Sequence, residues 1–276
     1  ATPYYIANPT GEINNYQQIQ GTTETGENKT LYNTGRIYPE NYGVAVCTGY
    51  GPYGGINPKI MEDSGMTDYR TLVVASPGAT DALVSQNYLE GSSLNPFSGN
   101  LEFFHPQIQL TIFAKLAGTM AKYIKDVSFT IPGEYLLESL AWDYQAKGYR
   151  PSAQRNALQV SSTVLNEYLN STDDKTLGTV YVVPKADATD YLMETIDIIV
   201  SGKISNTNSE VGTDFTSNIT VDLRSIPELV DGGLKLNDSY EIHLIFDEDQ
   251  IEITASKVPW IDGGNVLIPI HPVPEL

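Results

Sequence analysis

Apolar and polar positions alternate through much of this chain and predict β-strands. The clearest run begins at Phe104, after which the even-numbered positions to Leu116 are apolar or small and most odd-numbered ones are polar. Alternation over about a dozen residues is typical of a strand with one buried face. Shorter strands are predicted at residues 124–131, 179–183, 195–201 and 219–223. Residues 158–169 are ambiguous, although their Val and Thr content favours a strand.

A second alternating stretch, residues 240–255, predicts a hairpin. If Glu248 and Asp249 form its turn, the apolar residues pair across the two strands on a single face. The pairs are Phe246 with Ile251, Leu244 with Ile253 and Ile242 with Ala255. A one-residue change of phase before Val258 also predicts a bulge near Ser256.

Many short strands without crossover helices indicate an all-β protein built from antiparallel sandwiches. One immunoglobulin-sized sandwich takes about 100 residues, so the 276 residues predict two in tandem. Gly148, Pro151 and two cations interrupt the pattern between residues 146 and 152. We therefore expect an N-terminal domain over 1–150 and a C-terminal domain with a tail over 151–276. The first core is expected to contain Phe104, Ile108, Leu110 and Ile112, and the second Ile242, Leu244, Phe246, Ile251 and Ile253.

The charge balance excludes some partners. Acidic residues outnumber basic ones by 34 to 16, for a net charge of −18, which opposes binding to nucleic acids and to anionic membrane surfaces. No apolar run approaches the roughly 18 residues of a transmembrane helix. The single cysteine, Cys47, lies in an apolar run and is expected to be a buried, inert thiol.

Gly49, Gly51 and Gly54 form a G-x-G-x-x-G pattern after an apolar stretch. In a dinucleotide-binding loop this pattern opens a helix whose N-terminus meets the phosphates. Pro58 and the lack of helical periodicity before Gly65 argue against such a helix. We interpret the motif as a glycine-rich loop and expect no cofactor.

Candidate chemistry is sparse among the three histidines, His105, His243 and His271. No second histidine or cysteine lies at metal-ligand spacing from His105, so we expect it to be structural. No residue is singled out as catalytic, cofactor-binding or metal-binding, and we expect the protein not to be an enzyme. Two other classes stay open: a surface carbohydrate-binding module, because a tyrosine-rich β-sandwich suits sugar stacking, and a β-sandwich glycosidase.

Three stretches resemble the fimbrillin-like proteins, the type V pilins of Bacteroidales. Residues 101–111 and 124–127 are similar to the family's "F-x-H…A-x-L" strand and the strand that follows it. Residues 240–246, 251–255 and 258–260 resemble its closing hairpin and tryptophan, and residues 42–46 stand in the place of its "G-x-x-I-G-V-Y" strand. The resemblance spans about Ile37 to Trp260, with Ile108 where the family often has alanine.

The resemblance implies two transthyretin-like sandwich domains and assembly into cell-surface fimbriae that serve adhesion. Expected partners are other fimbrial subunits, in homo- or heteropolymers, and host or bacterial surface glycoproteins. It also implies an outer-membrane lipoprotein precursor, whose signal peptide and lipidation cysteine would precede Ala1. Stalk, tip and anchor subunits all stay open.

Two functional segments follow from this resemblance. Type V pilins are cut by an arginine-directed protease, and Arg36, beside Gly35, is the candidate cleavage site. In the tail, Val266, Ile268 and Ile270 alternate with Leu267 and Pro269 before further prolines. They are either a donor strand for another subunit or a last edge strand packed on their own domain.

Overall fold

The computed structural model describes residues 81–118, 121–143, 148–151, 158–161, 169, 172–184, 192–207, 211–229, 232–247 and 250–260, together with eight short strands elsewhere. These residues are mostly β-strand with almost no helix, so the all-β prediction is confirmed. Among them, two single turns of 3-10 helix occur, at Gly133–Tyr135 and Leu223–Ser225.

The strands of the first half are short, apart from two of nine residues. They are β1 (Tyr4–Ile6), β2 (Gln17–Ile19), β3 (Thr22–Thr23), β4 (Thr30–Leu31), β5 (Ala45–Cys47), β6 (Tyr50–Gly51), β7 (Thr71–Ala75), β8 (Leu83–Ser85), β9 (Leu89–Gly91), β10 (Asn100–Leu101), β11 (Phe103–Phe104), β12 (Ile108–Leu116) and β13 (Tyr123–Ile131).

The second half contains the other long strands. It comprises β14 (Ser139–Asp143), β15 (Gly148–Pro151), β16 (Leu158–Ser161), β17 (Lys175–Val182), β18 (Leu192–Met193), β19 (Thr195–Ser205), β20 (Thr213–Asp222), β21 (Leu234–Lys235), β22 (Ser239–Phe246), β23 (Ile251–Val258) and β24 (Ile268–Pro269).

Two four-stranded sheets form the sandwich that dominates the described residues. Their strand orders are β17-β12-β22-β23 and β16-β13-β19-β20. The inward-facing residues of both sheets form one apolar core, which extends from Ile108 and Ile112 in β12 to Leu244 and Phe246 in β22. Because apolar burial is the main driving force of folding, the two sheets stabilise each other.

A bulge in β13 shapes one side of the sandwich. The pairing of β13 with β19 shifts register between Lys125 and Ser128, and Asp126 has a φ of 53°. On β19, Gly202 lies against this bulge: a Cβ there would be 2.9 Å from the Lys125 carbonyl oxygen and 3.0 Å from the Phe215 ring. A side chain at position 202 would therefore collide with the backbone, and glycine leaves room for Phe215.

Much of the sequence reasoning is confirmed. Strands occur at all of the predicted positions in residues 104–223, and residues 158–161 are a strand. The hairpin is β22–β23, with all three predicted pairs in register. The prediction of a bulge near Ser256 is wrong, because β22 and β23 pair without a register shift as far as Val258.

The predicted domain boundary at residue 150 is wrong for the described strands. Before it lie β12 and β13, yet β12 pairs with β17 and β22, and β13 pairs with β16 and β19. Ile108 and Leu244 consequently share one core instead of occupying two. The sandwich is also not purely antiparallel, because β12 runs parallel to β22.

The core predictions hold except at the sheet edge. Phe104, Ile108, Leu110, Ile112 and the predicted residues of β22 are buried. Ile251 and Ile253 are only half-buried, because β23 is an edge strand and one side of each is left uncovered.

Shorter strands from the first 104 residues lie in small sheets outside the two large ones, and two of them pair with later strands: β7 with β14, and β10 with β24. Among them, β6 pairs with β8 antiparallel, which places Gly51 in a strand and not in a phosphate-binding loop. Gly49 and Gly54 lie outside the described residues. Within the described part of the chain, no helix is long and apolar enough to cross a bilayer.

Leu244→Ala tests the shared core. Leu244 is fully buried, so truncating it should lower the free energy of unfolding by about 2–5 kcal/mol through lost burial and an unfilled cavity. Leu94→Ala is the matched control, because Leu94 is 73% exposed, and its cost should stay within about 0.5 kcal/mol. Equal costs for the two changes in urea unfolding would contradict the core assignment.

Candidate functional site

A cluster of polar and aromatic side chains closes one end of the sandwich, and we call Asp81, His105 and Trp260 the clasp. The His105 Nδ1 donates to Asp81 Oδ1 over 2.6 Å, and Trp260 Nε1 donates to Asp81 Oδ2 over 3.1 Å. The rings of His105 and Trp260 are stacked, with centroids 3.8 Å apart. Asp81 thus uses both carboxylate oxygens to hold two stacked rings that are far apart in the sequence.

Buried polar side chains extend the clasp into the sheet. Ser239 Oγ donates to Gln109 Oε1 over 2.6 Å, and Gln109 Nε2 donates to the Tyr181 hydroxyl over 3.1 Å. Burial raises the pKa of Tyr181; the hydrogen bond from Gln109 offsets part of this rise, and the charge of Asp81 adds to it. These hydrogen bonds compensate the cost of burying polar groups in a low-dielectric interior.

The turn before β22 joins the same network. Asn237 has a φ of 67°, a left-handed conformation that asparagine tolerates better than most residues. Its side-chain oxygen accepts a hydrogen bond from the His105 backbone N–H over 2.8 Å, and its own N–H donates to the Gln107 carbonyl over 3.0 Å. The Gln107 side chain in turn accepts from the Ala82 N–H over 3.1 Å. The clasp region therefore connects residues 81–82, 105–109 and 237–239.

An aspartate–histidine pair also occurs in catalytic sites, but the histidine of this pair is largely enclosed by its neighbours. The His105 side chain is only 7% exposed and lies against Trp260. This is the structural role that the sequence favours for His105. Gln107 and Gln109, expected between the apolar positions of a half-buried strand, are buried because residues 81–82 and Tyr181 cover them.

Sequence reasoning singled out two of the three clasp residues. His105 and Trp260 belong to resemblance motifs that are far apart in the sequence, and the structure brings them into contact. Asp81, Tyr181 and Asn237 were missed, since an isolated aspartate, tyrosine or asparagine has no distinctive spacing. The only available signal was Asn237-Asp238 between two apolar runs, a pattern typical of a turn.

A smaller charged group lies on the outer face of the first sheet. His243 Nδ1 is 3.0 Å from Asp174 Oδ1, and Lys115 Nζ is 3.4 Å from the same oxygen. Burial opposes ionisation of Asp174, but the hydrogen bond to His243 and the charges of His243 and Lys115 outweigh it and lower its pKa. His243 is on the polar face of its strand. No group of three acidic, histidine or cysteine residues in the described ranges could hold a metal ion.

The predicted assembly residues are only partly within the described residues. Arg36, Val266 and Ile270 lie outside them. Ile268 belongs to β24, which pairs antiparallel with β10: Ile268 lies opposite Leu101, and Pro269 opposite Asn100. The tail strand is thus an edge strand on its own chain in this structure, and donation to another subunit stays a prediction.

No protein-family model matches the sequence, and no curated protein matches it. Similar solved structures include a candidate cell adhesion protein from Bacteroides uniformis, 14% identical, with 94% of this chain and 90% of that one covered and a TM-score of 0.48. A fimbrial protein from Bacteroides vulgatus is 12% identical, with coverages of 92% and 90% and a TM-score of 0.44. A candidate cell adhesion protein from Bacteroides ovatus is 13% identical, with coverages of 99% and 88% and a TM-score of 0.44.

These structural neighbours are Bacteroidales adhesion and fimbrial proteins, the class that the sequence resemblance named. At such TM-scores the likeness is loose. The chain's own strands and side chains must therefore support any function assigned to it.

A double-mutant cycle tests the clasp. Asp81→Asn and Trp260→Phe each weaken the same hydrogen bond, so their effects on the free energy of unfolding should be non-additive by at least about 0.5 kcal/mol. The control pairs Trp260→Phe with Asp222→Asn, since Asp222 bonds Arg224 and shares no partner with Trp260. Additivity in both cycles would show that the clasp contributes no coupling.

Proposed function

We propose that this chain is a structural subunit of a cell-surface fimbrium, assembled by β-strand donation and serving adhesion. The observation that supports this most is the weak attachment of β24. Within the described residues it pairs with β10 at two positions, and one of them is Pro269, which has no N–H to donate. Leu101 on β10 is nevertheless buried, at 3% exposed. A short strand held by so few backbone hydrogen bonds can be exchanged at low cost for the same strand of another copy.

The pairing of the first strands supports cleavage after Arg36. In the described residues, β1 pairs with β2 and β3 pairs with β4, so these pairs lie within the segment that cleavage would release. The tail strand β24 lies beside β4, with Cα atoms within 8 Å. Release of β4 would therefore remove a neighbour of the tail strand and loosen it.

Subunit type and location follow the resemblance. A stalk, tip or anchor subunit would be exported as a lipoprotein precursor, reach the outer membrane and function at the cell surface. Its partners would be other fimbrial subunits, with surface glycoproteins as adhesion targets. The predicted transthyretin-like character of the sandwich and a second, N-terminal sandwich are part of this proposal.

A polymerisation assay tests the proposal on the full chain. After digestion with a trypsin-like protease, with cleavage after Arg36 confirmed by N-terminal sequencing, ordered polymers should appear in electron micrographs. Arg36→Ala should stay monomeric, because the neighbour of the tail strand is retained. Ile268→Asp should be cut but stay monomeric, because a charged residue cannot replace Ile268 opposite the buried Leu101.

Glu275→Gln is the matched tail control and should polymerise like the wild type. Polymers from Ile268→Asp would show that the tail is not the donor, and polymers from Arg36→Ala would exclude cleavage as the trigger. Wild-type chain that is fully cut after Arg36 yet stays monomeric would contradict the proposal as a whole.

A further inference from the structure

The second sheet ends in a long, regular edge strand. All ten residues of β20 pair with β19, from Thr213 opposite Ile204 to Asp222 opposite Thr195, without a register shift. Among the described strands, β20 has a neighbour on that side only. An exposed strand edge is a template for another strand, and proteins usually blunt it with lysine, proline or a bulge. The sequence of β20 contains neither lysine nor proline, and its only charges are Asp214 and Asp222 near its ends.

Apolar side chains along β20 are left partly uncovered. Phe215, Ile219 and Val221 point towards the core but are half-buried. On the neighbouring strand, Ile196 and Ile198, opposite Val221 and Ile219, are buried. The apolar layer of the core is thus incomplete where β20 ends it, and a further strand would cover these three side chains.

Two more apolar features lie at the same side of the sandwich. The Phe215 ring contacts Phe246 edge-on, with centroids 6.0 Å apart, so β20 lies next to the β22–β23 edge of the other sheet. There Ile251 and Ile253 are also half-buried. Val211, just before β20, is 75% exposed, one of the two most exposed large apolar side chains in the described residues.

The charge of the chain and of β20 restricts which segment could pair with this edge. Asp214 and Asp222 both belong to the exposed face of β20, on a chain of net charge −18. Arg224 already binds the Asp222 carboxylate over 2.9 Å, so Asp214 is the carboxylate that a partner would meet. A second copy would bring the same acidic edge and a further net charge of −18, which opposes pairing between copies. The chain's own tail, residues 265–276, contains three prolines and no lysine or arginine. Neither a second copy nor the tail is therefore suited to pair with the edge of β20.

We propose that the edge of β20 binds an extended segment of a partner protein, which adds a fifth strand to this sheet. The segment has apolar residues at alternate positions, to cover Phe215, Ile219 and Val221. It carries lysine or arginine where it faces Asp214. This site does not depend on fimbrial assembly, and it can be tested on the uncut monomer.

The probe is a fluorescent nine-residue peptide, Lys-Val-Thr-Ile-Thr-Val-Thr-Val-Lys, in which one of the two terminal lysines faces Asp214 in either strand orientation. Fluorescence anisotropy should show that it binds the Arg36→Ala monomer and binds less at high salt. A peptide with both lysines replaced by glutamate should bind at least tenfold more weakly. A peptide with proline at the central position should also lose binding, because proline cannot donate to the strand pair.

Two lysine substitutions make the test specific to β20. Asn218→Lys adds a cation to the exposed face of β20, whereas Thr176→Lys adds the same charge to an exposed position of β17, an edge strand of the other sheet. Only Asn218→Lys should reduce binding tenfold or more. In a Cys47→Ser background, Asn218→Cys should form a disulfide with a peptide that has cysteine at its centre, in either strand orientation.

Several results would overturn the proposal. These are absence of binding, equal binding of the lysine, glutamate and proline peptides, and equal effects of Asn218→Lys and Thr176→Lys. A wild-type dimer in sedimentation that Asn218→Lys dissociates would assign the edge to a second copy. Because the monomer is uncut in every case, failure here leaves the fimbrial proposal untouched.

Discussion

The parallel pairing of β12 with β22 is the contact on which the rest of the structure depends. Eight residue pairs, from Gln109 with Ser239 to Leu116 with Phe246, join segments that are far apart in the chain. Both strands are central in their sheet, so without this pairing β17–β12 and β22–β23 would be separate hairpin-like pairs with exposed apolar faces. Closing such a long loop costs chain entropy, which the burial of one common core offsets.

The same pairing assembles the clasp. It places the turn at Asn237 beside residues 105–109, so that His105 and Gln107 find their backbone partners. The chain leaving β23 then places Trp260 against His105 and Asp81. Residues before the sandwich are thereby attached to its first and last strands.

The alternation of apolar and polar residues predicted those features that depend on neighbours in the sequence. The alternation in β12 and the register of β22–β23 depend on residues close in sequence, and both could be predicted. The pairing of β12 with β22 could not, because nothing in either strand indicates a partner 130 residues away or a parallel direction. The error at residue 150 has this origin, since each half contains enough alternation for a sandwich. Burial of Gln109 could not be predicted either, because it depends on Tyr181 and Ser239. Asp81 of the clasp could not be predicted for the same reason, because its partners His105 and Trp260 are distant in the sequence.

A single core predicts a single cooperative unit, and native-state hydrogen exchange measures this directly. Backbone amides of residues 110–116 and 242–246 should exchange only through global unfolding, with the same free energy and the same dependence on denaturant. If residues 242–246 stay protected under conditions in which residues 110–116 exchange freely, the two segments belong to separate units, and the shared sandwich is contradicted.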